Sequence, residues 1–169
     1  MRAFLFGKCG REGFAVVRQT AEAGNIHVGG TATSRAKPSA VFALLKESSG
    51  WPRWSMFTSS GMERPGDQER EGVGAIRTFT THVSKTRELV TALVPDRQLS
   101  YQLLSGFPFH NYHADVVLTP VDSGTRIDWT ASFQCRYGTG WFWRAFMNRV
   151  LSDMSERLAA AAEKAASAH

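Results

Sequence analysis

Near Gly138 the hydrophobic period of this chain switches from two residues to 3.6, and that switch constrains its fold more than any other feature. Beyond it, Trp143, Met147, Val150, Leu151, Met154, Leu158 and Ala161 recur at spacings of three and four. Their opposite face carries Arg144, Asn148, Arg149, Asp153, Ser155, Glu156, Arg157 and Lys164, which predicts one amphipathic helix of about 25 residues. Before it, Ile127, Trp129, Ala131 and Phe133 alternate with Arg126, Asp128, Thr130, Ser132 and Gln134, the pattern of an antiparallel strand covered on one face.

The same alternation runs back to Phe57. Leu99, Tyr101 and Leu103 follow it, as do Tyr112, Ala114, Val116 and Leu118, and further strands are expected over Val73 to Thr81 and Thr86 to Val94. Turn residues at Pro65-Gly66-Asp67, around Ser84, and at Pro95-Asp96, Gly106 and Asp122-Ser123-Gly124 separate these runs. Ahead of them, Ile26 to Arg35 reads as a first strand, and Pro38 opens a short helix whose apolar face is Val41, Phe42, Leu44 and Leu45. Gly50-Trp51-Pro52-Arg53-Trp54 reads as a second short turn. Residues 1–24 carry four glycines and no sustained periodicity, and are expected to be a poorly ordered extension in which Phe14 to Val17 could still add a strand. The remaining residues, 25–169, are expected to form one domain.

The order of elements sets a shape. Six or seven antiparallel strands cannot lie flat against one helix, so a twisted sheet must curl around it, giving an α+β helix-grip fold. Where the facing side chains are too few or too small, a gap remains between sheet and helix, the geometry of an apolar ligand pocket. Parity assigns Tyr101, Leu103, Tyr112, Val116, Trp129 and Phe133 to the sheet wall, and Met147, Val150, Leu151 and Met154 to the helix wall. A filled core would use the same residues.

Three polar residues are candidates for a site. His110 shares the parity of Tyr112, so it is expected to point inward at the strand's mouth, where it could hydrogen-bond a ligand or act as a general acid or base. His113, three residues on, faces the other way, so the two imidazoles are not expected to share a metal. Arg77 and Glu88 are expected to be diagonal neighbours across a turn near Val83-Ser84. An exposed ion pair on the outer face is the favoured reading; on the inner face they would anchor a polar ligand group. No Ser/His/Asp set, paired carboxylates or phosphate-cradling loop is visible, and Gly72-Val-Gly74 precedes a strand where a dinucleotide fingerprint would follow one. No cofactor and no metal are expected.

Composition narrows the partners. Lys and Arg outnumber Asp and Glu by 20 to 15, but they are spread singly from Arg2 to Lys164, so nucleic-acid binding is not expected. Two cysteines, Cys9 and Cys135, make no disulfide framework, and the longest apolar runs fall short of a signal peptide or spanning helix, so a cytoplasmic protein without stable membrane insertion is expected. A homodimer is left open.

The chain from Ile26 to Ala166 resembles the Bet v 1-like or START-like superfamily, and within it the polyketide cyclase/dehydratase and lipid-transport-like group. The resemblance rests on Pro38-Ser-Ala-Val-Phe42 with Trp51-Pro-Arg-Trp54, on Gly72-Val-Gly-Ala-Ile-Arg77, on Glu88 to Pro95 with Leu99-Ser-Tyr101, and on Gly124-Thr-Arg-Ile-Asp-Trp129. It implies a cavity for lipids, sterols or polyketides, and it implies no shared catalytic set. The expected function is therefore binding or carriage of a hydrophobic small molecule. The alternatives are a polyketide cyclase or dehydratase using His110, with Tyr101, Tyr112 or Arg77 orienting an enolate, and a protein-interaction module.

Overall fold

The computed structural model describes residues 25–167. The extension expected over residues 1–24, and the strand considered at Phe14 to Val17, lie outside the described residues. The chain runs β1 (Ile26–Ser34), α1 (Pro38–Lys46), a 3₁₀ turn (Ser48–Arg53), β2 (Ser59–Arg64), β3 (Ile76–Thr80), β4 (Lys85–Val94), β5 (Gln98–Ser105), β6 (His110–Val121), β7 (Gly124–Gln134) and α2 (Gly140–Ala166). All strands join one antiparallel sheet in the order β1-β7-β6-β5-β4-β3-β2, with α2 packed on its concave face, so the helix-grip architecture is observed. Val73, Gly74 and Ala75, expected in a strand, instead belong to the approach to β3.

The placement of α2 explains where space is left. The helix lies chiefly on β1, an edge strand, and polar contacts stitch the two together. The Gly29 amide donates to Asn148 Oδ1 at 2.9 Å, Ser155 Oγ to the Gly30 carbonyl at 3.3 Å, and Ser34 Oγ to the Ala159 carbonyl at 3.0 Å. Gly30 allows this approach, because a Cβ there would sit 2.4 Å from the Ser152 amide nitrogen. With the helix held to one edge of a curled sheet, the distance from α2 across to β4 and β5 must be spanned by side chains alone. Among the described residues no helix is long and apolar enough to cross a membrane.

Candidate functional site

The floor of this space is aromatic. Pro52 suits the 3₁₀ turn because its fixed φ is already helical, and the turn drives Trp51 into the core, where its indole N–H donates to the Leu45 carbonyl at 3.0 Å. The Trp51 ring stacks on Phe79 at 4.6 Å and meets Trp129 edge-on at 5.8 Å, while Phe57 stacks on Phe79 at 4.8 Å. The Trp129 indole donates to the Tyr101 hydroxyl at 3.1 Å, so both buried polar tips find partners.

Above this floor a cavity remains, almost wholly apolar, with about 60 Å³ open to the centre of a water molecule. Tyr101, Leu103, Tyr112 and Trp129 line it from the sheet, and Met147, Val150, Leu151 and Met154 from α2, as the alternation and the helical stripe predict. Such a space holds a few waters, well short of the roughly 300–1,000 Å³ typical of small-molecule sites, so a ligand must part the walls to enter. Two methionines suit that demand, since an unbranched thioether repacks at little cost.

Other residues complete the lining that were not among the expected site residues. Trp51 comes from the 3₁₀ turn, Met56 and Phe57 from the irregular backbone after it, Phe107 from the β5–β6 connection, Thr81 and Ser84 from the β3–β4 turn, and Thr86 from the start of β4. Irregular backbone carries no period to read. Phe146 also lines the cavity; it is missing from the stripe read in the sequence, although its spacing of three from Trp143 and four to Val150 is the signal that could have found it.

Three expected lining residues lie elsewhere. Val116 and Phe133 are fully buried but pack in the core outside the cavity, Phe133 against Phe109 at 4.2 Å. His110 is exposed and does not line the cavity. The cause is a bulge: His110 pairs with Gln134 while His113 pairs with Ser132, and Asn111 between them takes φ 52°. The extra residue breaks the parity that linked His110 to Tyr112, turning the imidazole out while Tyr112 stays in. An acid/base role for His110 in this cavity therefore loses its geometric basis.

The second correction concerns Arg77 and Glu88, whose side chains face the core, 0% and 6% exposed. The β3–β4 turn is closed by Thr81, whose amide donates to the Ser84 carbonyl at 2.8 Å and whose hydroxyl accepts from the Ser84 amide at 3.0 Å. That centres the turn one residue earlier than expected, so Arg77 sits directly opposite Glu88. Phe79 and Val90, buried on the same strands with the same parity, bring the two charges inward with them.

This pair is poorly satisfied. Arg77 Nη2 lies 3.8 Å from Glu88 Oε2, and none of the three guanidinium nitrogens has a hydrogen-bond partner among the described residues. The guanidinium lies over the Trp51 ring at 5.1 Å and near Phe79 at 5.6 Å, and its cation–π contacts offset part of the desolvation. Glu88 reaches the cavity wall; Arg77 stands behind it. Burial pushes the Glu88 carboxyl up to about 7, with Arg77 pulling the other way, and burial lowers the Arg77 guanidinium against the pull of Glu88 and Glu71. Burial also raises the Tyr101 and Tyr112 hydroxyls, which stay neutral donors.

A stability prediction follows from the Glu88 carboxyl. Folded Glu88 holds its proton more tightly than unfolded Glu88, so its contribution is full below pH 4.5 and is lost as pH rises through about 7. Urea titrations should show the protein losing about 2 kcal/mol from this group between about pH 5 and pH 8. Glu88→Gln should flatten that slope; an unchanged slope would place the titrating group elsewhere.

Comparison with known proteins agrees with this fold. Residues 25–163 match the family model described as polyketide cyclase / dehydrase and lipid transport. The chain belongs to this family. Among solved structures, a START superfamily protein from Mycobacterium smegmatis is similar with a TM-score of 0.71 at 12% identity, over 82% of this chain and 98% of that one. The protein XoxI from Bacillus cereus matches at TM-score 0.66 and 16% identity, over 80% of this chain and 94% of that one. A protein from Nitrosospira multiformis matches at TM-score 0.65 and 19% identity, over 79% and 94%. At these identities the neighbours establish the fold. No curated protein matches the chain. Membership of the polyketide cyclase / dehydrase and lipid transport family supports a role in binding hydrophobic ligands.

Proposed function

We propose that this chain binds and carries a neutral, largely hydrophobic molecule bearing a hydroxyl or ketone group, of the sterol or polyketide-like class. The observation that carries this reading is a cavity of apolar side chains whose wall holds one buried carboxyl group, Glu88, backed by a guanidinium without hydrogen bonds. A protonated Glu88 donates to a ketone, and an ionised one accepts from a hydroxyl; either satisfies an atom that is otherwise buried without a partner. A ligand carboxylate would meet an acidic wall and aromatic rings, so fatty acids fit less well than alcohols. The two-cysteine composition supports work in a reducing cytoplasm.

Thermal-shift and native mass-spectrometry screens against sterols, polycyclic phenols and fatty acids test this reading. One molecule of the first two classes per chain is expected. Val150→Phe, which fills the cavity from α2, should weaken that binding by at least about tenfold while leaving the fold intact. Binding unchanged in this variant, or no ligand in any class, would count against a site in the cavity.

A second reading, proton transfer on a ketone substrate as in a cyclase or dehydratase, draws support from Glu88, whose carboxyl titrates near neutrality against the cavity. In such an enzyme Glu88 takes the role first assigned to His110. Turnover that survives Glu88→Gln at full rate would remove it.

A further inference from the structure

The first turns of α2 do something unusual for a water-soluble surface. Trp141 is 77% exposed, Phe142 47%, and Tyr137, just ahead of the helix, 79%. Phe142 stacks on Phe146 at 6.2 Å, and Phe146 lies against Phe107, so the exposed rings are continuous with the cavity rim. Exposed aromatics grouped this way mark an interaction site.

Charge identifies the partner. Four segments meet at this rim: residues 55–58, 81–85, 105–111 and 136–152. Together they hold Lys85, Arg136, Arg144 and Arg149, with His82 and His110 and no Asp or Glu; the first carboxylate beyond them on α2, Asp153, is paired with Arg157. Among the described residues none of these four cations takes part in an ion pair, so all four are free to meet an anionic surface. Unpaired cations interleaved with Trp, Tyr and Phe match a bilayer surface, where aromatic rings settle at headgroup depth and cations face anionic lipid. A protein partner would more commonly meet a rim of mixed sign.

We propose that this end of the molecule, built on Tyr137, Trp141, Phe142, Arg144 and Arg149, docks reversibly on an anionic lipid bilayer and presents the cavity mouth to it. The proposal rests on the cavity being a hydrophobic-ligand site for its purpose, though the docking itself is measured independently. A hydrophobic ligand dissolves poorly in water, so a mouth facing the bilayer shortens its path through solvent.

Co-sedimentation with phosphatidylcholine vesicles, with and without phosphatidylglycerol, tests it on the full chain. The parent should pellet with the anionic vesicles, much less with phosphatidylcholine alone, and less as salt is raised. Arg144→Glu with Arg149→Glu should weaken binding by at least about tenfold, and Trp141→Ser with Phe142→Ser should do likewise. Because none of these four residues lines the cavity, both variants should retain the parent's affinity for naphthol; if naphthol binding is absent in the parent while vesicle docking persists, the cavity reading fails and the docking reading stands. No pelleting of the parent with anionic vesicles overturns the proposal whatever the variants do. So does an unchanged affinity in both variants, or a dimer that Trp141→Ser with Phe142→Ser converts to monomer without altering vesicle binding, which would assign the face to a second copy of the chain.

Discussion

Replacing Arg77 with Met and Glu88 with Leu in the same chain should leave the fold as stable as the parent or more so, by about 0–4 kcal/mol, and should abolish the cavity's preference for hydroxylated ligands. Two charges held in an apolar interior at 3.8 Å, without hydrogen bonds, recover less than their desolvation costs. Apolar residues of similar length can use the same space between Trp51 and Phe79. The single variants should differ from one another. Glu88→Leu strands a guanidinium that cannot give up its charge, and should cost about 3–5 kcal/mol. Arg77→Met leaves a carboxyl that can take up a proton, and should cost less. In the parent, a ligand hydroxyl meeting Glu88 should improve affinity over the deoxy analogue by about 10- to 100-fold, the worth of a buried hydrogen bond to a charged group. Calorimetric titration with naphthol and naphthalene reads that ratio directly, and urea denaturation at neutral pH reads the stabilities. A double variant that unfolds, or that keeps the hydroxyl preference, would contradict the assignment of the pair as a binding feature.

Gly30→Val should be the most damaging change on the sheet, costing more than about 3 kcal/mol. Even its Cβ would lie 2.4 Å from the Ser152 nitrogen and 2.5 Å from the Leu151 carbonyl carbon, both helix backbone with no rotamer to change. The helix cannot retreat without losing the bonds from Asn148, Ser155 and Ala159 to β1. Since α2 is also one wall of the cavity, ligand binding should fall with stability. At Gly29, whose Cβ would point away from α2 and come no nearer than 3.2 Å to the Trp129 carbonyl oxygen, Ala should cost less than about 1 kcal/mol. Urea midpoints of the two variants make the comparison, and equal effects would show that the close helix approach is not what Gly30 provides.

Most of the fold was legible because it follows from periodicity. The stripe from Trp143 to Ala161 and the alternation through Phe133 each fixed an element, and their order required a curled sheet around a helix. The helix wall of the cavity came through for the same reason. Parity failed where one residue too many entered a strand, as at Asn111, and no composition signal marked that bulge. The Arg77–Glu88 pair was misplaced by a different route. Its parity with Phe79 and Val90 pointed inward, and the general expectation that charges stay in water outweighed it. A charge pair that keeps step with core residues on two neighbouring strands is therefore worth reading inward, as a candidate site.

The central claim, a ligand held between the sheet and α2 with its polar group at Glu88, is tested most directly by methyl-detected NMR of the full chain titrated with naphthol. The account predicts saturable shifts in the methyls of Met147, Val150, Leu151, Met154 and Leu103, with little change at the outward-facing Val117 and Val121, and a clear loss of affinity when naphthalene replaces naphthol. Shifts confined to surface methyls, or none at all up to the solubility of naphthol, would contradict it.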